Sequence, residues 1–142
     1  MNTLELMEPE QPATHSNDVV LLPYGLLGLE RVKNYSLLAN PEESPFQWFQ
    51  MLEDAKHAFL VVPPELVVSD YHPDFEQEDV EFLELNDPSN ALILTIVTLR
   101  DAGQATVNLK GPIVINRQTW IGKQIIPSNA AQYPVRQPLS LS

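Results

Sequence analysis

Apolar residues in this chain come in runs of four to ten, and nearly every run stops at a proline, a glycine or an Asn-Pro pair. VVLL at 19–22 meets Pro23, Gly25 and Gly28. NYSLLA at 34–39 ends at Asn40-Pro41, and HAFLVV at 57–62 ends at Pro63-Pro64. Runs of this length, rich in β-branched residues and closed by turn formers, predict strands. ALILTIVTLR (91–100) has the composition of a central strand. Asp101–Gln104 predicts a hairpin into ATVNL (105–109), Lys110-Gly111-Pro112 a break, and IVIN (113–116) and WIGKQII (120–126) two further strands. A first short strand is expected near Leu4–Leu6, followed by a polar loop over 8–17. VEFLEL (80–85) fits a strand or a short helix. The best helix candidate is SPFQWFQMLED (44–54), with Ser44 as N-cap and Pro45 in the first turn. Its aromatics are expected to be core. Residues 127–142 carry three prolines and little periodicity, and are expected to form an irregular tail. Many short strands with one short helix predict an all-β sandwich or barrel.

Length makes this one domain, 1–142, with a single core. There is no cysteine, which removes disulfides, thiolate chemistry and Cys-ligated zinc. The acidic N-terminus has no signal-peptide pattern, and no apolar run reaches the roughly 20 residues of a membrane span. A cytoplasmic location and no membrane association are expected.

Charge changes the picture most. The formal net charge is -11, and it is unevenly spread. Residues 1–99 hold 18 acids and 3 bases; residues 100–142 hold 1 acid and 5 bases. Between Lys56 and Arg100 there is no Lys or Arg, while nine carboxylates occur: Glu65, Asp70, Asp74, Glu76, Glu78, Asp79, Glu81, Glu84 and Asp87. Such a surface repels phosphate backbones, so direct nucleic-acid binding is disfavoured and a basic partner favoured. Leu66, Val67, Val68, Tyr71 and Phe75 interleave with these acids, a mixture common in protein–protein interfaces.

Candidate chemistry is sparse. Asp70, His72 and Asp74 alternate, and in an extended chain would share a face that a metal could use. Pro73 interrupts that arrangement, and a solvated acidic loop is the plainer reading. His15, His57 and His72 lie in unrelated contexts, no G-x-S-x-G elbow is present, and YGLLG matches no phosphate-binding spacing. No catalytic residue, no metal site and no cofactor are expected, hence no enzyme. An RNA- or oligosaccharide-binding small barrel is the alternative, with only the weakly basic 100–136 region to serve it.

The ordered set LPYGLLGLE (22–30), NYSLL (34–38), SPFQWFQMLED (44–54), HAFLVVPP (57–64), SDYHPDF (69–75), TIVTLR (95–100), VNLKGPIVIN (107–116) and GKQII (122–126), closing with Tyr133 and Arg136, resembles the FliW family of flagellar assembly factors. Leu27 and Leu29 stand where that family often carries proline and phenylalanine. The resemblance implies a small antiparallel pseudo-barrel with one short helix. It implies binding to flagellin and to CsrA, a dimeric RNA-binding repressor of flagellin translation that is antagonised away from its RNA surface. It leaves open whether the two partners share one surface, and a monomer is expected. Asp70, Tyr71, Asp74, Phe75, Glu76, Glu78 and Asp79 are the expected partner-binding residues, with Tyr71 and Phe75 as anchors and the acids steering. Asn108, Gly111 and Pro112 are expected to be structural, ending one strand and setting the turn into the next.

Overall fold

Neighbouring apolar runs find each other as antiparallel ladders. A computed structural model describes residues 16–54 and 56–139. The expected strand at Leu4–Leu6 and residues 8–15 of the expected loop lie outside the described residues, while Ser16 and Asn17 already belong to the first strand. The strands are β1 (Ser16–Leu21), β2 (Asn34–Ala39), β3 (Gln47–Met51), β4 (Ala58–Val62), β5 (Ala91–Leu99), β6 (Ala105–Val107), β7 (Ile113–Asn116), β8 (Gly122–Gln124) and β9 (Gln137–Leu139). One α-helix, α1 (Gln77–Phe82), joins them among the described residues.

β1 to β4 form a meander that continues onto β5. Alternation sends Tyr35 and Leu37 of β2, Phe49 and Met51 of β3, and Val61 of β4 into one core with Val20, Leu94, Ile113 and Ile115. The Tyr35 and Phe49 rings stack with centroids 4.4 Å apart. Each large apolar side chain buried in this way contributes about 1.5–3 kcal/mol. The opposite face is apolar as well: Leu38, Trp48 and Ala58 pack under Leu60 and Leu99.

The helix expected over 44–54 is not formed. Phe46 N–H donates to the Glu43 carbonyl, closing a turn, and Gln47–Met51 then runs as β3 between β2 and β4. The aromatic spacing suits a helix and a two-sided strand equally, and pairing on both edges decides for the strand. The single helix lies instead at Gln77–Phe82, overlapping the stretch that fitted either element.

β5 organises the rest. One of its edges pairs with β4; the other carries β7 at Ala91–Leu94 and β6 at Val97–Leu99. β6 and β7 are thus one interrupted strand: Asn108 N–H still donates to the Ile96 carbonyl, and residues 109–112 leave the ladder between them. Asn108 Oδ1 accepts from Lys110 N–H within this excursion, and the Gly111 carbonyl accepts from Gln124 Nε2. Gly111 leaves room for that arrangement, since a Cβ there would lie 3.1 Å from Gln124 Nε2 and 3.4 Å from Asn108 Nδ2.

No continuous ladder closes the sheet among the described residues. Its ends meet at one parallel bridge between Leu21 and Ile121, where Leu21 N–H donates to the Trp120 carbonyl at 3.0 Å. Gly122 permits this approach, because a Cβ would fall 2.9 Å from Ile115 Cγ1 and 3.0 Å from Leu22 Cδ2. The C-terminal stretch is less irregular than its composition suggests. Gln137–Leu139 adds to β6 as an edge strand, a position where Pro138 is tolerated.

The Tyr35 hydroxyl is buried and has no hydrogen-bond partner among the described residues. Burial, and then the Glu53 charge, push its ionisation up to about 12. An unfolded tyrosine ionises near pH 10, so the neutral ring's contribution is intact below about pH 10 and is lost as pH rises through about 12. Tyr35→Phe is therefore expected to leave stability at pH 7 within about 1 kcal/mol of the parent, or to raise it. It should also flatten the alkaline loss of stability. Urea titrations at neutral and alkaline pH check both; a neutral-pH loss above about 2 kcal/mol would show that the hydroxyl has a partner.

Candidate partner-binding surface

The acidic segment is held to the barrel by its backbone. Residues 72–74 lie along the C-terminal stretch: the Asp74 carbonyl accepts from Ser128 N–H, Asp74 N–H donates to Asn129 Oδ1, and Asn129 Nδ2 donates to the His72 carbonyl. His72 N–H donates to the Tyr133 hydroxyl at 2.9 Å. Beneath this seam Tyr71 is buried, edge-on to the Tyr133 ring, and its hydroxyl donates to the Leu109 carbonyl at 2.8 Å. Burial raises the Tyr71 ionisation well above the ordinary phenol range.

Helix α1 is fixed at both ends. In its first turn Asp79, 7% exposed, pairs with Lys123 of β8, whose ammonium also lies 5.2 Å from the Tyr24 ring centroid and 5.7 Å from that of Phe82. At the other end the buried Asn116 Nδ2 donates to the Leu83 carbonyl at 2.7 Å and more weakly to that of Glu84. The same side chain's Oδ1 accepts from Gln118 and Thr119 N–H in the β7–β8 turn. A buried amide satisfied on both sides ties the helix end to that turn.

These attachments leave most of the carboxylates exposed. Of the nine acids between Lys56 and Arg100, eight are exposed and only Asp79 is buried. Asp87 caps the turn at Pro88–Asn90, and the Ser89 N–H holds its carboxyl below the usual range, so it stays charged. The same stretch of chain contributes Phe75, Val80, Leu85 and Pro88 to an apolar pocket of about 260 Å³, completed by Ala91 and Ile93. The far side of Phe75 packs on the Leu83, Val114 and Ile125 cluster. A larger apolar groove of about 410 Å³ lies over Phe46, Trp48, Leu60 and Leu99, away from the acidic segment, and Glu42 and Glu43 line it.

The expected partner-binding residues therefore separate. Asp70, Asp74, Glu76 and Glu78 are exposed, and Phe75 is half-buried at the pocket. Tyr71 and Asp79 are not on the surface: Tyr71 is a core residue under the Tyr133 seam, and the charge of Asp79 is matched by Lys123. Their part is to position the segment. Asp70, His72 and Asp74 are each exposed, and no three His, Asp or Glu side chains converge at metal distance among the described residues. His57 pairs with Asp54 on the surface at 2.8 Å. No helix of the described residues is long and apolar enough to cross a membrane.

The family model described as FliW protein matches residues 6–139. The chain belongs to the FliW family. A flagellar assembly factor FliW from Leptospira interrogans (serovar copenhageni) is 37% identical over 123 residues, covering 85% of this chain and 81% of the relative. One from Syntrophus aciditrophicus is 35% identical over 121 residues, covering 84% and 76%. The crystal structure of a flagellar assembly factor FliW superposes with a TM-score of 0.76 at 27% identity, over 87% of this chain and 86% of that one. The antiparallel pseudo-barrel with one short helix is thus the FliW fold, and this chain is a flagellar assembly factor by family.

Three side chains that build this FliW surface carry no local signal of it: Asn116, Lys123 and Asn129. Each acts across 33 or more residues, as in Asn116 to Leu83, Lys123 to Asp79 and Asn129 to Asp74.

Lys123→Met would strand the buried Asp79 carboxylate and is expected to cost about 2–4 kcal/mol. Adding Asp79→Asn should recover part of that loss, so the double variant is more stable than the sum of the single effects predicts. Denaturant titration of the four proteins measures the coupling; strict additivity would contradict the pairing.

Proposed function

We propose that this chain acts by binding rather than by catalysis, holding a basic protein partner on the exposed acidic segment and lodging an apolar side chain of that partner in the Phe75–Val80–Leu85 pocket. The observation that carries this reading is a run of eight exposed carboxylates on the segment that also contributes Phe75, Val80 and Leu85 to an apolar pocket. Like charges crowded on one segment repel each other, and a basic partner relieves that repulsion while the pocket supplies desolvated contact area.

Within the FliW family the partner that fits is CsrA, whose RNA-binding nature makes it basic, and flagellin is the second partner. Binding CsrA away from its RNA surface would antagonise repression through two coupled sites on one protein. Flagellin that accumulates unexported would occupy this chain and release CsrA, linking flagellin synthesis to assembly. The role places the protein in the cytoplasm, as a monomer, without cofactor and without direct contact to nucleic acid or membrane.

Reversing Asp74, Glu76 and Glu78 to lysine is the test, because all three are exposed and α1 is held by other groups. The triple variant should melt like the parent yet bind CsrA at least tenfold more weakly at low salt, a loss of about 1.4 kcal/mol or more. The difference should narrow as salt rises. Unchanged affinity at low salt would place the interface elsewhere.

A further inference from the structure

We infer that the chain carries a second docking surface, opposite in character to the first, which takes an acidic amphipathic segment of a partner protein. It rests on different residues from the acidic segment and does not depend on the reading above. Three of the strongly exposed large apolar side chains, Leu27 (60%), Ile126 (52%) and Val135 (51%), gather around the excursion between β6 and β7. Leu27 N–H donates to Gln124 Oε1 at 2.8 Å, Gln124 Nε2 donates to the Gly111 carbonyl, and Ile126 Cδ1 lies 3.6 Å from where a Cβ on Gly111 would stand. Leu27 and Val135 line a groove of about 270 Å³ whose floor includes Leu29, Phe59 and Ile96.

Arg100 and Arg136 stand in the same groove. Both are exposed, and neither forms an ion pair among the described residues. Arg100 makes only a long contact from Nε to Thr106 Oγ1, at 3.4 Å. Glu30, which follows Leu29 in the chain, accepts from Gly28 N–H at 2.8 Å and does not line the groove. Two guanidinium groups without an ion pair among the described residues thus stand beside exposed aliphatic side chains on a chain of net charge -11. Arginine offers a carboxylate a bidentate fork, and an amphipathic helix lays its apolar face into such a groove. Charge complementarity therefore selects acidic side chains flanking apolar anchors. RNA fits less well: the exposed apolar groups are aliphatic rather than aromatic, and the overall charge repels phosphates.

Nuclear magnetic resonance on the full 15N-labelled chain tests this with defined probes. One is a 20-residue helical peptide of leucine and glutamate in an amphipathic pattern, another its leucine–lysine counterpart, and the third a uridine decamer. The leucine–glutamate peptide is expected to shift the amides of Leu27, Gln124, Ile126 and Val135 in a saturable way, and the other two probes to leave them in place. Arg100→Glu with Arg136→Glu should weaken that binding at least tenfold in a protein whose remaining spectrum is unchanged. Val135→Asn, which keeps both arginines, should weaken it about threefold or more. The inference is overturned if the leucine–glutamate peptide leaves these amides unmoved or binds the double variant as well as the parent. It is also overturned if the RNA moves them instead, or if they move with protein concentration alone, which would assign the groove to a second copy of the chain.

Discussion

A segment carrying nine carboxylates and no base has to be held against a barrel without using up the charges that make it distinctive. The structure solves this with backbone bonds to neutral side chains. Asn129 grips the amide of Asp74 and the carbonyl of His72, Tyr133 accepts from the His72 amide, and Asn116 caps the end of α1. One acid, Asp79, is spent on attachment, and its partner Lys123 comes from the base-rich end of the chain. Everything proposed for the exposed face depends on this division between a buried attachment and a free surface.

The arrangement has a cost. Repulsion among eight exposed like charges opposes the compact state, and at physiological ionic strength, with a Debye length of about 8 Å, only near neighbours feel it fully. Asp87 caps the Pro88–Asn90 turn and Gln77 donates to Glu81, and these bonds offset part of the repulsion along the segment. A basic partner would remove the rest. The same logic separates the Arg100–Arg136 groove from the acidic face: one chain then offers two surfaces of opposite sign, built around the two irregular features of its sheet. The first is the long β4–β5 connection; the second is the excursion between β6 and β7.

Much of the fold was legible in the pattern of apolar runs, because short β-branched stretches between turn formers have few alternatives. Asn34–Ala39 and Ile113–Asn116 coincide with the runs that predict them. The 44–54 stretch misled because Phe46, Trp48, Phe49 and Met51 can face one side of a helix or both sides of a strand, and only the flanking strands decide. β9 was invisible because its pairing with β6 needs no apolar signature of its own. In the candidate site, Asp74, Phe75, Glu76 and Glu78 were readable as charge mixed with apolar surface. Burial of Tyr71 and Asp79 was not, since it depends on Tyr133, Leu109 and Lys123, each far away in the chain.

The proposed role has this FliW-family chain act on an RNA-binding partner by binding the protein and not the RNA. A gel-shift with a labelled RNA that CsrA recognises tests it most directly, with this chain alone, CsrA alone and both together. The account predicts no shift from the chain alone, a shift from CsrA, and release of the RNA when the chain is added to that complex. A shift from the chain alone, or a CsrA shift that persists at saturating chain, would contradict it.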